Sequence, residues 1–130
     1  DVYQQVIDWG IGEVGYDKRF AQDLARELEG CGVVMVDVPQ GFYLNEAVRS
    51  IATAVAQGQL AHGGHAILGW MAANVVLTTG RQGDVRVDKQ AAKDKIDGVV
   101  ALVMAESRTI AQPVTPPSVY LERGVRTLGG

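Results

Sequence analysis

The feature that most constrains this chain is a pair of short apolar runs separated by one helix's worth of polar pattern. Glu13-Val14-Gly15-Tyr16 reads as a short strand that stops at Asp17, and Val33-Val34-Met35-Val36 is a continuous, mostly β-branched run. Between them, residues 18–30 carry Phe20, Leu24 and Leu28 four apart, the spacing of an amphipathic helix, and Gly30 and Gly32 close it. Strand, 13-residue helix, strand is a βαβ unit. It predicts parallel pairing with a right-handed crossover, because a right-twisted strand feeding a helix packs back onto its sheet only that way. The second run predicts a strand buried on both faces. The class is α/β, and such sheets gather ligands at the carboxyl ends of their strands. Asp17 stands at such an end.

The flanking segments predict helices and a hairpin. Residues 1–10 read as a short helix with Asp1 as N-cap and Val2, Val6 and Trp9 on one side, ended by Gly10 and Gly12. After Pro39-Gln40-Gly41 a helix runs to about Gln57, with Leu44, Ala47, Val48, Ile51 and Val55 as its stripe. His62-Gly63-Gly64-His65 is a turn, followed by a helix with Ile67, Leu68, Met71 and Val75 inward. Residues 75–88 predict a β-hairpin turning around Gly80 and Gly83, and the last helix is expected at about 90–106. Pro113, Pro116 and Pro117 predict an extended tail, so the expected division is a domain over residues 1–112 and a tail over 113–130.

Composition excludes several classes. With 47% hydrophobic and 21% charged residues, the 130-residue chain is too apolar to be disordered and long enough for one core. A net charge of −3 excludes a bulk basic nucleic-acid coat, though not a local site. The single cysteine, Cys31, cannot form an internal disulfide and reads as a small residue at a helix end. No apolar run approaches the roughly 18 residues of a membrane span, and the N-terminus lacks the pattern of a signal peptide. Trp9 and Trp70 are expected in the core.

The residues that carry chemistry are carboxylates. In Ile96-Asp97-Gly98-Val99-Val100-Ala101-Leu102-Val103-Met104-Ala105, nine of ten residues are apolar or glycine, so the helix is expected to be packed on most sides. A carboxylate buried there, Asp97, must be neutral, paired or on a metal. Lys93, four residues earlier, is the simplest partner for an ion pair. Asp17 has a structural reading too, as N-cap of the helix starting at Lys18. If the two acids converge, they suit Mg²⁺, which is held by one or two carboxylates together with water and phosphate. His62 and His65 offer transition-metal ligands, though the turn reading is the simpler one. Arg81, Arg86, Lys89, Lys93 and Lys95 cluster on the hairpin and the start of the last helix, amid Asp84, Asp88, Asp94 and Asp97, either as a solvated charged face or as contacts to DNA phosphates.

From Val14 to Ala105 the chain resembles the C-terminal nuclease domain of tailed-phage terminase large subunits. The matching pieces are Gly15-Tyr16-Asp17, Val38-Pro39-Gln40-Gly41, His62-Gly63-Gly64, Leu68-x-Trp70-Met71-x-x-Asn74-Val75, Val87-Asp88-Lys89 and Lys95-Ile96-Asp97-Gly98 with the apolar run to Ala105. Ser118-Val119-Tyr120-x-Glu122-Arg123-Gly124 is similar to how such subunits end. The resemblance implies a ribonuclease H-like fold, here partial, and a two-metal DNA endonuclease that cuts concatemeric viral DNA with Mg²⁺ or Mn²⁺. By position Asp17 and Asp97 resemble the second and third of three metal-binding acids, and Arg86, Lys89, Lys93 and Lys95 become the expected DNA contacts. The implied partners are double-stranded DNA, the portal protein and the small terminase subunit, in the cytoplasm of a bacterial host.

The family's first acid lies on a leading strand, whereas only 16 residues precede Asp17 here, and no Walker-type phosphate loop is present. The expectation is therefore a C-terminal portion of a nuclease domain without the ATPase domain and leading strands. Its alternative is a catalytically incomplete prophage remnant or interaction module. A missing leading strand would leave the edge at residues 13–16 either open to self-association or covered by residues 1–10. An unrelated small α/β binding protein, with Asp17 only a cap and Asp97 only an ion pair, is the third reading.

Overall fold

The computed structural model describes residues 1–111; the expected tail lies outside the described residues. Asp1 caps helix α1 (Val2–Asp8), its carboxylate accepting from the Gln4 N–H at 2.8 Å. Strand β1 (Val14–Tyr16) leads through helix α2 (Lys18–Gly30) to strand β2 (Met35–Asp37). β1 and β2 pair in parallel, with Val14 opposite Met35, Gly15 opposite Val36 and Tyr16 opposite Asp37, as the βαβ pattern requires. A 3₁₀ turn (Gly41–Leu44) and helix α3 (Asn45–Ala56) follow, then α4 (Ala66–Asn74). The antiparallel hairpin of β3 (Leu77–Thr79) and β4 (Val85–Val87) precedes the last helix, α5 (Asp97–Ala111).

Two apolar clusters hold these parts together. Val38, Leu44, Ala47, Val48 and Val103 form the main one, with Ile51, Val85, Val87, Val99 and Met104 packed against it. The stripe of α3 and the hairpin's two valines thus meet the middle of α5. Val6, Leu28 and Val33 form the second, with Val14 and Met35 against it, so α1 plugs the start of the parallel strands. Helix α5 runs antiparallel to β1. Its Arg108 grips Glu13 at 2.5 Å and reaches Gly15, its Val103 packs with Val38, and its Val100 shares a small cavity with Gln40, Val87 and Lys89. From Arg108 back to Asp97 the helix covers roughly 16 Å, and β1 from Glu13 to Asp17 covers roughly 13 Å. The N-terminus of α5 therefore stands at the carboxyl end of the strands.

Several expectations are corrected. The last helix starts at Asp97, not near residue 90, because backbone donors of the preceding segment are used elsewhere. Gln90 and Ala91 give their N–H groups to the Asp88 carboxylate, Lys93 to the Asn74 carbonyl and Lys95 to the Asp94 carboxylate. Phe20 is 82% exposed and Leu24 is exposed; of the expected stripe only Leu28 is buried, together with Ala25. The helix kinks at Ala21 (φ −125°, ψ 23°), which rotates Phe20 out of the expected stripe. Trp9 and Trp70 are 73% and 48% exposed, not core. Helix α4 turns Leu68 and Met71 toward Gly98 of α5, and Ile67 and Trp70 lie off that contact stripe. Val55 is likewise exposed. Val34 is exposed and β2 begins one residue later, so that strand is not buried on both faces.

Candidate active site

Parallel pairing fixes the start of the site. Because Tyr16 is opposite Asp37, the next residue after β1, Asp17, and the last residue of β2, Asp37, leave the sheet side by side. The hairpin delivers Arg86, Val87 and Asp88 to the same place. With Lys18 and Arg19 from the first turn of α2, and Pro39, Gln40, Gly41 and Lys89, they line a cleft of about 840 Å³.

Asp17 has two distinct oxygens. Oδ1 accepts from the Arg19 N–H at 3.0 Å as the N-cap of α2, and the Arg19 Nε lies 3.7 Å from it. Oδ2 is buried and has no hydrogen-bond partner. The whole side chain is only 17% exposed. A carboxylate oxygen removed from water without a donor costs about 1–3 kcal/mol or more, so it marks a place for a positive partner. Hard carboxylate oxygens suit Mg²⁺ or Mn²⁺ in kind. Among the described residues, no group of three or more His, Cys, Asp or Glu side chains could hold a metal ion. A cation here would rely on one or two carboxylates, with water and phosphate oxygens completing its shell.

Asp88 plays a different part. Its carboxylate accepts from the Gln90 and Ala91 N–H groups, both at 3.0 Å, and from the Thr78 hydroxyl at 2.8 Å. The Ala91 and Thr78 bonds hold its carboxyl below the usual carboxylate range, with Gln90 and the nearby Arg86 charge acting in the same direction. Asp88 thus fixes the exit of the hairpin. Arg86 lies with its guanidinium 5.0 Å from the Phe42 ring centroid, and its Nε is buried without a hydrogen-bond partner. Lys89 extends its Nζ to 3.5 Å from the Gln40 side-chain oxygen.

The structure brings together three of the residues singled out from sequence, Asp17, Arg86 and Lys89. Asp97, Lys93 and Lys95 are not in the lining of the cleft. Asp97 is exposed, in the first turn of α5, so the expectation of a carboxylate buried in a packed helix is corrected. There a negative charge favours the helix dipole. No ion pair joins it to Lys93 among the described residues; the ion pairs there are Arg19–Asp17, Arg26–Asp23 and Arg108–Glu13. It does stand at the same end of the molecule as Asp17, through the antiparallel run of α5. His65 is the N-cap of α4, its Nδ1 accepting from the Leu68 N–H at 3.2 Å, after a turn at Gly63 and Gly64. The turn reading of this segment holds.

The sequence profile of the family "Terminase large subunit, endonuclease domain" matches residues 3–112. The chain belongs to this family. It is 26% identical over 108 residues, 81% of its length, to the terminase large subunit of Enterobacteria phage HK97. It is 31% identical over 77 residues, 59% of its length, to that of Lactococcus phage p2. Protein YmfN of Escherichia coli K12 is 30% identical over 77% of the chain. The chain spans 21%, 14% and 23% of these relatives' lengths, respectively. The crystal structure of the HK97 large terminase superimposes with a TM-score of 0.74 at 25% identity, over 83% of this chain and 23% of that one. The expected family and the α/β nuclease fold, with its parallel βαβ unit and hairpin, are thereby established for this terminase domain.

Sequence reasoning did not single out Asp37, Lys18, Arg19 or Gln40 as site residues. The rule that picked Asp17, an acid at the carboxyl end of a parallel strand, also applies to Asp37 after Val36. Lys18 and Arg19 were legible as the first turn of the helix that Asp17 caps.

Proposed function

We propose that this chain is part of a metal-dependent DNA endonuclease of a phage packaging terminase, with Asp17 and Asp97 as the residues that hold Mg²⁺ or Mn²⁺. The observation that carries the reading is the buried, unpartnered Oδ2 of Asp17 on a cleft that also presents Lys18, Arg19, Arg86 and Lys89. Asp97 enters the reading because α5 runs antiparallel to β1. Bound metal ions would supply Lewis-acid stabilisation of the phosphate and an activated water, the chemistry of two-metal nucleases.

The chain's own residues supply binding and orientation. The Asp17 carboxylate is fixed by the Arg19 N–H through one oxygen, which leaves the other oriented as an acceptor. Arg86 and Lys89, with Lys93 and Lys95 on the loop beyond, offer charge-assisted bonds to phosphate oxygens. Such contacts read the backbone and not the bases, which suits binding of duplex DNA with little sequence preference. The partners proposed for the whole protein are concatemeric duplex DNA, the portal protein and the small terminase subunit, in the cytoplasm of the host. The free edge of β1 is proposed to take a further strand.

The test is cleavage of plasmid DNA with Mg²⁺ or Mn²⁺, alongside a calorimetric titration of the metal. Asp17→Asn and Asp97→Asn are each expected to abolish nicking and to weaken metal binding without changing the melting temperature by more than a few degrees. Cleavage and metal binding that persist in the double variant would overturn the assignment. A chain that binds DNA and metal but never cuts would favour the interaction-module reading.

A further inference from the structure

We propose that Phe42 is a positioning residue that holds Arg86 in place for a DNA phosphate, with Gly80 leaving the room for its ring. The inference rests on the reading of the cleft as a DNA site. Val85 and Val87 pack against the main core, so the intervening Arg86 leaves the other face of β4. Among the described residues no carboxylate lies within ion-pair distance of it. What holds it is the Phe42 ring, 5.0 Å from the guanidinium carbon. Behind that ring is Gly80: a Cβ at this position would lie 3.2 Å from both Cε1 and Cζ of Phe42.

Ring and cation share one frame. Phe42 belongs to the 3₁₀ turn that ends in the buried Leu44. The hairpin is fixed to α3 next to that turn. The Asn45 side-chain oxygen accepts from the Val85 N–H at 2.6 Å and from the Arg49 Nε at 3.2 Å, and Arg49 also donates to the Gly83 carbonyl. An aromatic face restrains a guanidinium plane by cation–π attraction but does not neutralise its charge as a carboxylate would. Arg86 is thus preorganised on the cleft wall with no carboxylate at ion-pair distance among the described residues, the Asp88 charge nearby being bonded to Thr78, Gln90 and Ala91. This lowers the ordering cost of gripping a phosphate.

The experiment measures binding of a fluorescent DNA duplex to the 130-residue chain by anisotropy, in EDTA, over a series of salt concentrations. Arg86→Ala is expected to lower the log–log salt slope by about 0.9, the value of one phosphate contact. Phe42→Leu is expected to weaken binding about two- to fivefold and to take most of the same slope. Phe42→Tyr, which keeps the ring, is expected to bind as the parent does. In an Arg86→Ala background, Phe42→Leu should add nothing. Gly80→Ala, which displaces the ring without removing it, should follow the same pattern and serves if Phe42→Leu melts too low. Equal losses from Phe42→Leu with and without Arg86 would overturn the inference, as would Phe42→Tyr failing like Phe42→Leu. Arg86→Ala weakening binding while Phe42→Leu leaves it intact would also overturn it, but the DNA reading would stand. No DNA binding by the parent, or no effect of Arg86→Ala, would remove the DNA reading and this inference with it.

Discussion

Asp17 and Asp88 are both carboxylates on the cleft, and their hydrogen bonds separate their tasks. Asp88 spends its acceptors on Thr78, Gln90 and Ala91, so its charged form is favoured in the folded protein. With its pKa lowered below the unfolded value, the unfolded chain binds more protons in the window between the two. The stabilisation is therefore present above the ordinary Asp pKa of about 3.9 and is lost as pH falls through the folded value. Asp88→Asn should lower stability by a constant amount above about pH 5 and converge with the parent toward about pH 3, which flattens the acid limb in urea melts. Asp17 keeps one oxygen unpartnered, and its two roles can be separated. Asn caps helices as well as Asp does, so Asp17→Asn should melt like the parent, whereas Asp17→Ala should lose about 1 kcal/mol in chemical denaturation. That cap was legible in the sequence, since Asp preceded a helical pattern at a strand end. The exposure of Asp97 was not legible, because it depends on where α5 begins. That start is set by contacts of Asp88 and Asn74 with the loop, which periodicity does not reveal.

Among the elements, the hairpin is the one whose attachment decides the shape of the cleft. Its second strand was readable from the alternation of Val85 and Val87 and its first was placed two residues early, at Val75-Val76-Leu77 rather than Leu77–Thr79, but its docking was not readable. Docking rests on the side chain of Asn45, in the first turn of α3, which satisfies the Val85 N–H and orients Arg49 toward Gly83. Asn45→Ala would leave a part-buried N–H without its acceptor. The expected loss is about 1–3 kcal/mol in equilibrium unfolding, with faster amide exchange at Val85 than at the β2 amides. Equal exchange at both would show that the hairpin is held by its valines alone. The helices show the same division. α3 was legible from Leu44, Ala47, Val48 and Ile51 because its neighbours, α5 and the hairpin, meet at one stripe. In α2 the kink at Ala21 shifts the helical phase, so Phe20, on the far side of the kink, falls off the buried side while Leu28 stays on it. In α4 the expected inward set of Ile67, Leu68, Met71 and Val75 was right for Leu68 and Met71, which face Gly98 of α5, and wrong for Ile67, which is exposed.

At the scale of the whole molecule, the parallel sheet is narrow. Among the described residues it holds only β1 and β2, so each strand has one unpaired edge. Val14 donates to the Val34 carbonyl, and the Tyr16 carbonyl accepts from Val38. In a parallel ladder alternate residues face the partner, so the N–H and C=O of Gly15 point to the open edge of β1. The charges that usually discourage pairing are engaged elsewhere. Glu13 is gripped by Arg108 at 2.5 Å, and Asp17 is turned to its helix and the cleft. Residues 1–10 do not form a third strand: α1 reaches the sheet through Val6, which packs with Val14 and Met35 at the strand starts. An apolar edge of this kind templates pairing with another chain. Two copies joined along β1 would place their Asp17 residues near the interface. Sedimentation across micromolar to millimolar concentration is expected to show reversible self-association, accompanied by slowing of Gly15 amide exchange. A longer chain that supplies a strand beside β1 should abolish the self-association and keep the Gly15 amide slow at every concentration. A monomer at every concentration, with the Gly15 amide exchanging at an unchanged rate, would show that this edge is closed by side chains from α5 rather than open to a strand.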